Sequence, residues 1–522
     1  MSADFDVAVV GSGFSGSLTA LIARRLGRSV VLLERGTHPR FAIGESSSPL
    51  ANLLLEELAG RYDLPRIRPL SAWGSWQRTY PDVGCGVKRG FTFYAHEAGR
   101  PFSGDPERTD QLLVAASPCD EVADTHWYRP DFDAFLVHEA RDAGAEYLDR
   151  TETAVLSSDA DGFVLAVERG GSRSEVRSRA VIDASGPGGF LNRQLGLRAS
   201  RFADLPATEG LYAHFTGVRR MAELGIFPAG PVPPYPVDDA ALHHVFDGGW
   251  IWVLRFGNGI VSAGVAAEPR LARELRLDEH APAWDRLLAR FPTIHAQFEG
   301  SRPVHPFVYR GSLPFRAEAA AGDAWALLPS AAAFVDPLLS TGFPLTLLGV
   351  ERVARAIERL DDPKTFAAAL RDHGSRTLFE ADTAALLVSA LYASFGDFPV
   401  FAALTTLYFA AVSYAEAARR LGRPHLSGSF LSGNHPTFGP ALRSCCRIAL
   451  ERAPARRPEL LAAIRRAIHP FDVIGLLDEH RRNWYPVLAE DLVAARHKLE
   501  ATEEEIEMVL AAMGPAASMH RV

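Results

Sequence analysis

The stretch Phe5-Asp6-Val7-Ala8-Val9-Val10-Gly11-Ser12-Gly13-Phe14-Ser15-Gly16 decides the fold. A short apolar run ends at Gly11, a G-x-G-x-x-G turn follows, and residues 17–27 continue with helical composition. Ser29 to Leu33 then reads as a second buried strand ending in an acid, Glu34. Strand, glycine turn, helix, strand and acid, in that order, are the parts of a dinucleotide-binding unit. Among Gly11, Gly13 and Gly16, one permits the tight turn, one lets the backbone approach a pyrophosphate, and one lets helix and strand pack closely. The helix start offers unpaired N–H groups to the phosphates, and Glu34 suits a ribose hydroxyl.

Later segments favour FAD over a nicotinamide. Arg129-Pro130-Asp131-Phe132-Asp133 opens a helix, and Ser178 to Gly186 reads as a strand ending in a small-residue turn. Trp325-Ala326-Leu327-Leu328 then runs toward Asp336-Pro337-Leu338-Leu339-Ser340-Thr341-Gly342. This spacing resembles that of flavoproteins of the p-hydroxybenzoate hydroxylase type, in which distant segments return to complete one FAD domain. The expected fold is α/β, with a Rossmann-like FAD-binding domain, a β-rich substrate domain and a helical C-terminal domain. Residues 1–200 and 311–370 are assigned to the first, with 70–120 partly in the substrate layer. Residues 201–310 are assigned to the second and 371–522 to the third. One G-x-G-x-x-G occurs, so no second dinucleotide fold is evident.

Composition agrees with a large globular chain. At 522 residues it suits about three domains. A net charge of −8 argues against nucleic acid as the main partner, because phosphate binding wants a basic surface. Cys85, Cys119, Cys445 and Cys446 form no CxxC pair, so they read as reduced thiols of a cytoplasmic protein. The start lacks a basic n-region and a cleavable apolar stretch. Lysine is scarce: Lys88, Lys364 and Lys498 stand against 52 arginines. A lysine kept in such a chain marks a need for an amine that can lose its proton.

Phe398 to Ala415 is an 18-residue run without a charge, long enough to be considered for a membrane span. Pro399, the polar Thr405, Thr406 and Ser413, and flanking Asp397 and Glu416 favour instead a buried helical pair roofing a substrate pocket.

The segment Cys85-Gly86-Val87-Lys88-Arg89-Gly90-Phe91-Thr92-Phe93 resembles the active-site lysine segment of flavin-dependent halogenases, most of all the phenolic type. The likeness includes His38-Pro39-Arg40-Phe41, Gly44-Glu45-Ser46, Gly249-Trp250-Ile251-Trp252, Asp336 through Gly342, and Tyr392 through Phe398. The resemblance implies FAD reduced by a separate flavin reductase, and a halide ion converted with O2 to hypohalous acid. That oxidant is relayed to Lys88, where a small electron-rich aromatic is halogenated. It further implies that Arg40, Glu45, Ser46, Arg129, Asp336 and Gly342 join Gly11, Gly13, Gly16 and Glu34 around FAD. Thr341 and Gly342 would bind halide at a helix start, and Phe93, Trp250, Trp252 and Leu339 would line the substrate pocket. A homodimer is allowed, and membrane is not expected.

Three departures bear on the reaction. Leu339 stands where tryptophan halogenases carry a Glu, which argues against tryptophan and for a phenol. Leu254-Arg255 replaces the Ile-Pro that follows the paired tryptophans, which leaves a monooxygenase or reductase of the same fold as the alternative. A non-catalytic or membrane-associated flavoprotein is the third reading. Pro329-Ser330 replaces a Gly-Asp pair, leaving Asp336 as the remaining acid toward FAD. Adjacent His243 and His244 point to opposite sides of a strand and make poor joint metal ligands, and no metal site is expected. His96 is a candidate pocket base, with a structural role favoured.

Overall fold

The computed structural model describes residues 3–159, 162–226 and 231–513. The chain begins with strand β1 (Ala3–Val10), helix α1 (Phe14–Arg25) and strand β2 (Val30–Leu33). Helix α2 (Pro49–Arg61) leads to four short strands, β3 (Cys85–Lys88), β4 (Gly90–Ala95), β5 (Gln111–Ala115) and β6 (Asp124–Trp127). Helix α3 (Arg129–Asp142) then returns the chain to β7 (Glu146–Leu148), β8 (Thr151–Asp159), β9 (Gly162–Arg169) and β10 (Ser172–Asp183). Strands β11 (Glu209–Thr216), β12 (Ala241–Phe246), β13 (Gly249–Arg255) and β14 (Val261–Ala267) follow, and β15 (Trp325–Leu327) comes after three short helices, Pro269–Leu275, Ala281–Arg290 and Pro292–Phe298. The remainder is mainly helical: α4 (Gly342–Ile357), α5 (Pro363–Ala393) and α6 (Phe398–Arg420), with a late strand β16 (Trp484–Tyr485).

The first sheet has the order β7-β2-β1-β10-β9-β8, with β15 beside β10. β1 lies between β2 and β10, parallel to both, with Val10 level with Leu33 and Asp183. The carboxyl ends of three strands therefore meet at one crevice, where α/β sheets bind nucleotides. The fold requires glycine twice there. Gly11 sits at φ +100°, and a side chain on Gly16 would collide with the Gly11 carbonyl.

The second sheet runs β11-β14-β13-β12-β4-β5-β16. Its members come from three distant parts of the chain, including Trp484–Tyr485, so the C-terminal region is not wholly helical. Side chains alternate between two cores. Leu242, Ile251, Val253 and Val265 pack with Trp284, Leu287 and Phe298 of two amphipathic helices. Phe91, Phe93, Trp250 and Trp252 face the opposite way and join the main core with Phe401 and Tyr408 of α6. A small ribbon, β3 with β6, bridges the two sheets and carries Lys88.

Helix α6 holds the uncharged run. It is long and apolar enough to cross a membrane, yet 78% of its apolar stretch is buried inside the fold. Its aromatic side chains explain that burial, because they complete the core over the second sheet.

Candidate active site

At the crevice, the extended backbone of Gly13 caps α1 without a side-chain bond, which leaves the first-turn N–H groups pointing outward. Arg129 lies over this end: its guanidinium is 3.6 Å from where a Cβ on Gly13 would sit. Asp133 grips it with bonds of 2.7 and 2.8 Å, so the cation is fixed in place. Glu34 accepts from the Ser12 N–H and hydroxyl at 2.9 Å. Burial pushes its carboxyl up, but Arg40 and the N–H groups of Ser12 and Gly36 outweigh this and hold it below the usual value. A cation, a helix start and an ionised acid around a turn that tolerates no Cβ fit the pyrophosphate and ribose of FAD.

The segment 43–47 ties this crevice to the lysine. Arg129 donates to the carbonyls of Ile43 (3.2 Å) and Gly44 (2.9 Å). Ser46 bridges to His126 of β6, and its buried hydroxyl has no partner among the described residues. The Ser47 carbonyl accepts from Lys88 Nζ. The Glu45 carboxylate turns the other way, to His214 Nε2 of β11 at 2.7 Å, so Glu45 joins the two sheets through its side chain. Its carboxylate is thus engaged by an imidazole of the second sheet.

Lys88 is fully buried. Its ammonium lies 3.6 Å from the Phe91 ring centroid, and Asp124 is directly opposite it on β6. Burial lowers its pKa to about 7, with Asp124 opposing the shift. Near neutrality the amine is therefore available in both protonation states.

An aromatic wall extends from it. Phe93 stacks on His243 with centroids 4.3 Å apart, and Trp250 follows 5.3 Å beyond. Phe401, Tyr408 and Phe409 of α6 close the other side. Burial drives the pKa of His126 and His243 down to about 3, so both rings are neutral. Trp250 and Trp252 share one face of β13, with centroids 5.7 Å apart. Arg255 lies on the other face and donates to the Val218 carbonyl at 3.0 Å. Of the pair replacing Ile-Pro, Leu254 thus packs on the tryptophan face and Arg255 points away from it.

The turn before α4 is bent by two left-handed residues, Leu339 (φ 64°) and Ser340 (φ 53°). Such backbone is costly for side chains with a Cβ and persists only where surroundings hold it. Thr341 is buried, whereas a Cβ on Gly342 would meet nothing within 4 Å. The turn therefore presents a small open cradle at the start of a 16-residue helix. Phe343 stacks on Trp127 of β6 at 4.2 Å and meets Phe14 of α1 at 5.1 Å. These contacts dock the cradle between the crevice and the ribbon that bears Lys88.

Asp336 is likewise engaged by protein donors. It does not stand free toward the crevice. Oδ1 accepts from Leu338 N (3.0 Å) and Trp250 Nε1 (3.3 Å), while Oδ2 accepts from Tyr392 OH (2.9 Å) and Thr208 Oγ1 (3.3 Å). With both oxygens engaged, Asp336 braces the turn against β13 and α5. Burial raises its pKa to about 6, with these donors pulling the other way. The candidate base His96 belongs to the opposite core, bonded to His244 at 2.8 Å. No cluster of three metal-ligating side chains occurs among the described residues.

Sequence reasoning missed Asp124, His126 and Tyr408. None lies in a motif; the register of β6 against β3 is what brings Asp124 and His126 to the lysine.

Comparison with known proteins agrees with this geometry. The family model described as "FAD dependent oxidoreductase" matches residues 6–326. Monodechloroaminopyrrolnitrin halogenase PrnC of Pseudomonas fluorescens is 32% identical over 77% of this chain and 70% of its own. Tetracycline 7-halogenase of Kitasatospora aureofaciens is 30% identical over 66% of this chain and 61% of its own. The crystal structure of halogenase PltM superposes with a TM-score of 0.81 at 25% identity, covering 92% of this chain and 99% of PltM. PltM has also been captured with phloroglucinol and FAD, a structure 24% identical with a TM-score of 0.80, again over 92% and 99% of the two chains. A glycine crevice built for FAD, a buried lysine and a match across the sheets thus converge, and the chain belongs to the FAD-dependent oxidoreductases as a flavin-dependent halogenase.

Proposed function

We propose that this halogenase acts on a phenol or a similarly electron-rich aromatic, and that Lys88 is the residue that presents the halogenating species to the ring. The observation that carries the proposal is the complete burial of Lys88 beside Phe91. Bound FAD, reduced by a separate reductase, supplies hypohalous acid from O2 and halide. Gly11, Gly13, Gly16, Glu34 and Arg129 would hold its phosphates and ribose, and Arg40 steadies Glu34. The cradle at Thr341-Gly342 would hold the halide by backbone N–H groups.

Lys88 then has two ways to act. Its ammonium can donate a hydrogen bond to hypohalous acid and polarise the O–X bond. Its neutral amine can form the N–X bond itself, releasing water. A pKa near 7 makes both accessible. The wall of Phe91, Phe93, His243 and Trp250 would hold a flat ring and exclude water. Leu339 offers no carboxylate there, and a phenol needs less help because its oxygen already donates electrons to the ring. The relative PrnC is named for an aminopyrrolnitrin substrate, so anilines and pyrroles belong beside phenols in the test. The four free cysteines suit the cytoplasm, where a flavin reductase is at hand.

The test is mass spectrometry of products from the protein with FAD, a flavin reductase, NADH and a panel of phenols, anilines and pyrroles, with bromide and with halide omitted. A bromine isotope doublet on a phenol that vanishes without halide is the expected result. An oxygenated product independent of halide would replace the proposal with a monooxygenase.

A further inference from the structure

Halogenation of an arene ends with loss of a ring proton, and a buried pocket must supply its acceptor. Asp124 has the required position. It is directly opposite Lys88 in the β3–β6 pair, and it is buried. Oδ1 accepts one bond, from Asn52 at 3.2 Å, and Oδ2 has no partner among the described residues. A buried carboxylate oxygen left unpaired is costly, and such a cost is retained where chemistry uses the group. The buried hydroxyl of Tyr408, which feels the Asp124 charge, is also unpaired and marks unfilled hydrogen-bonding capacity on the same side. Asp124 also lines a cavity of about 450 Å³ with Asn52, Ser117, Glu416 and Arg420, one that neither Lys88 nor the aromatic wall lines.

Resting on the halogenase reading above, we propose that Asp124 is the general base that takes the proton from the halogenated ring carbon and returns it to Lys88. In the step, ring electrons form the C–X bond as the O–X bond of hypohalous acid breaks. The departing oxygen takes a proton from the Lys88 ammonium and leaves as water. The Asp124 carboxylate takes the ring proton, and the C–H electron pair restores aromaticity. Transfer of that proton from the carboxyl to the Lys88 amine resets the pair. The sum is one arene and one hypohalous acid giving one aryl halide and one water. Burial favours the neutral form of both partners, while each charge favours the other's. The return step would run between side chains at directly opposite positions of the β3–β6 pair.

The experiment is Asp124→Asn, assayed with a substrate halogenated by the wild type and with the same substrate deuterated at the reacting carbon. FAD binding should be unchanged and kcat should fall by about a hundred-fold. The isotope ratio should rise from near 1 to about 2 or more, because ring-proton loss becomes the slow step. A purely structural defect would lower kcat without moving that ratio, and a ratio that stays near 1 overturns the proposal. If the Asn variant does not fold, Asp124→Ser is assayed with added formate, which the cavity admits. Formate-dependent recovery supports the proposal; no recovery, or failure of both variants to fold, assigns Asp124 to the scaffold and overturns it. A wild type that halogenates no arene defeats the halogenase reading itself, whereas wild-type turnover with an unaffected Asp124→Asn defeats this inference alone.

Discussion

Two buried carboxylates divide the site. Asp336 accepts four hydrogen bonds and ties together a turn, a strand and a helix. Asp124, beside the lysine, accepts one and leaves an oxygen bare. Polar groups that are fully satisfied add rigidity and fix one arrangement; polar groups left wanting hold free capacity at a cost in stability. The comparison teaches where to look for each kind of effect. Damage at Asp336 should appear as lost stability, and damage around Lys88 as lost chemistry in a protein that remains folded.

The sharpest break is at Lys88. Lys88→Ala should lower halogenation by about a thousand-fold while FAD affinity stays within about two-fold, read by product mass spectrometry and flavin fluorescence titration. Halogenated product at the wild-type rate would remove Lys88 from the chemistry and dissolve the contrast. Next is Asp336→Ala, which strands four donors at once. Each buried orphan costs about 1–3 kcal/mol, so thermal denaturation should show a clear fall in Tm, with reduced FAD retention as the turn loosens. A Tm equal to the wild type would mean that the satisfied carboxylate is dispensable.

Smaller and more selective is Gly342→Ala. The added methyl meets no atom within 4 Å, so Tm should hold. It would occupy the cradle, and the halide KM should rise by about ten-fold with the KM for the arene little changed. The smallest effect is on stability against pH. The Lys88 pKa falls from 10.5 in the unfolded chain to about 7 in the fold. Between those values the unfolded chain binds more protons, so stability rises with pH; below about 7 the burial cost is present in full. Lys88→Met should therefore raise Tm by about 2 °C near pH 6, with the gain shrinking toward pH 10.

The crevice was largely legible in the sequence because its parts are local. Gly11, Gly13, Gly16 and Glu34 lie within one βαβ unit, and their spacing reports a backbone shape. Lys88 stood out for another reason, an amine kept where arginine is the rule, and the structure buries it. Asp124 was not legible, because its role depends on a strand register across 36 residues that no local pattern encodes. The partners of Asp336 were hidden for a related reason. The sequence shows an acid shortly before the Ser340-Thr341-Gly342 turn, but Trp250 and Tyr392, which claim its oxygens, arrive from 86 and 56 positions away. The Glu45 carboxylate is likewise claimed by a partner 169 positions off.

The burial of Lys88 has a practical corollary. Of the three lysines, Lys364 is exposed at the start of α5 and Lys498 is partly covered, donating to the Asp472 carbonyl at 2.8 Å. Amine-directed reagents applied to the folded protein would meet Lys364 well before the buried Lys88. Coupling to an activated support should then tether the enzyme at very few points, with Lys88 spared and no substitution needed.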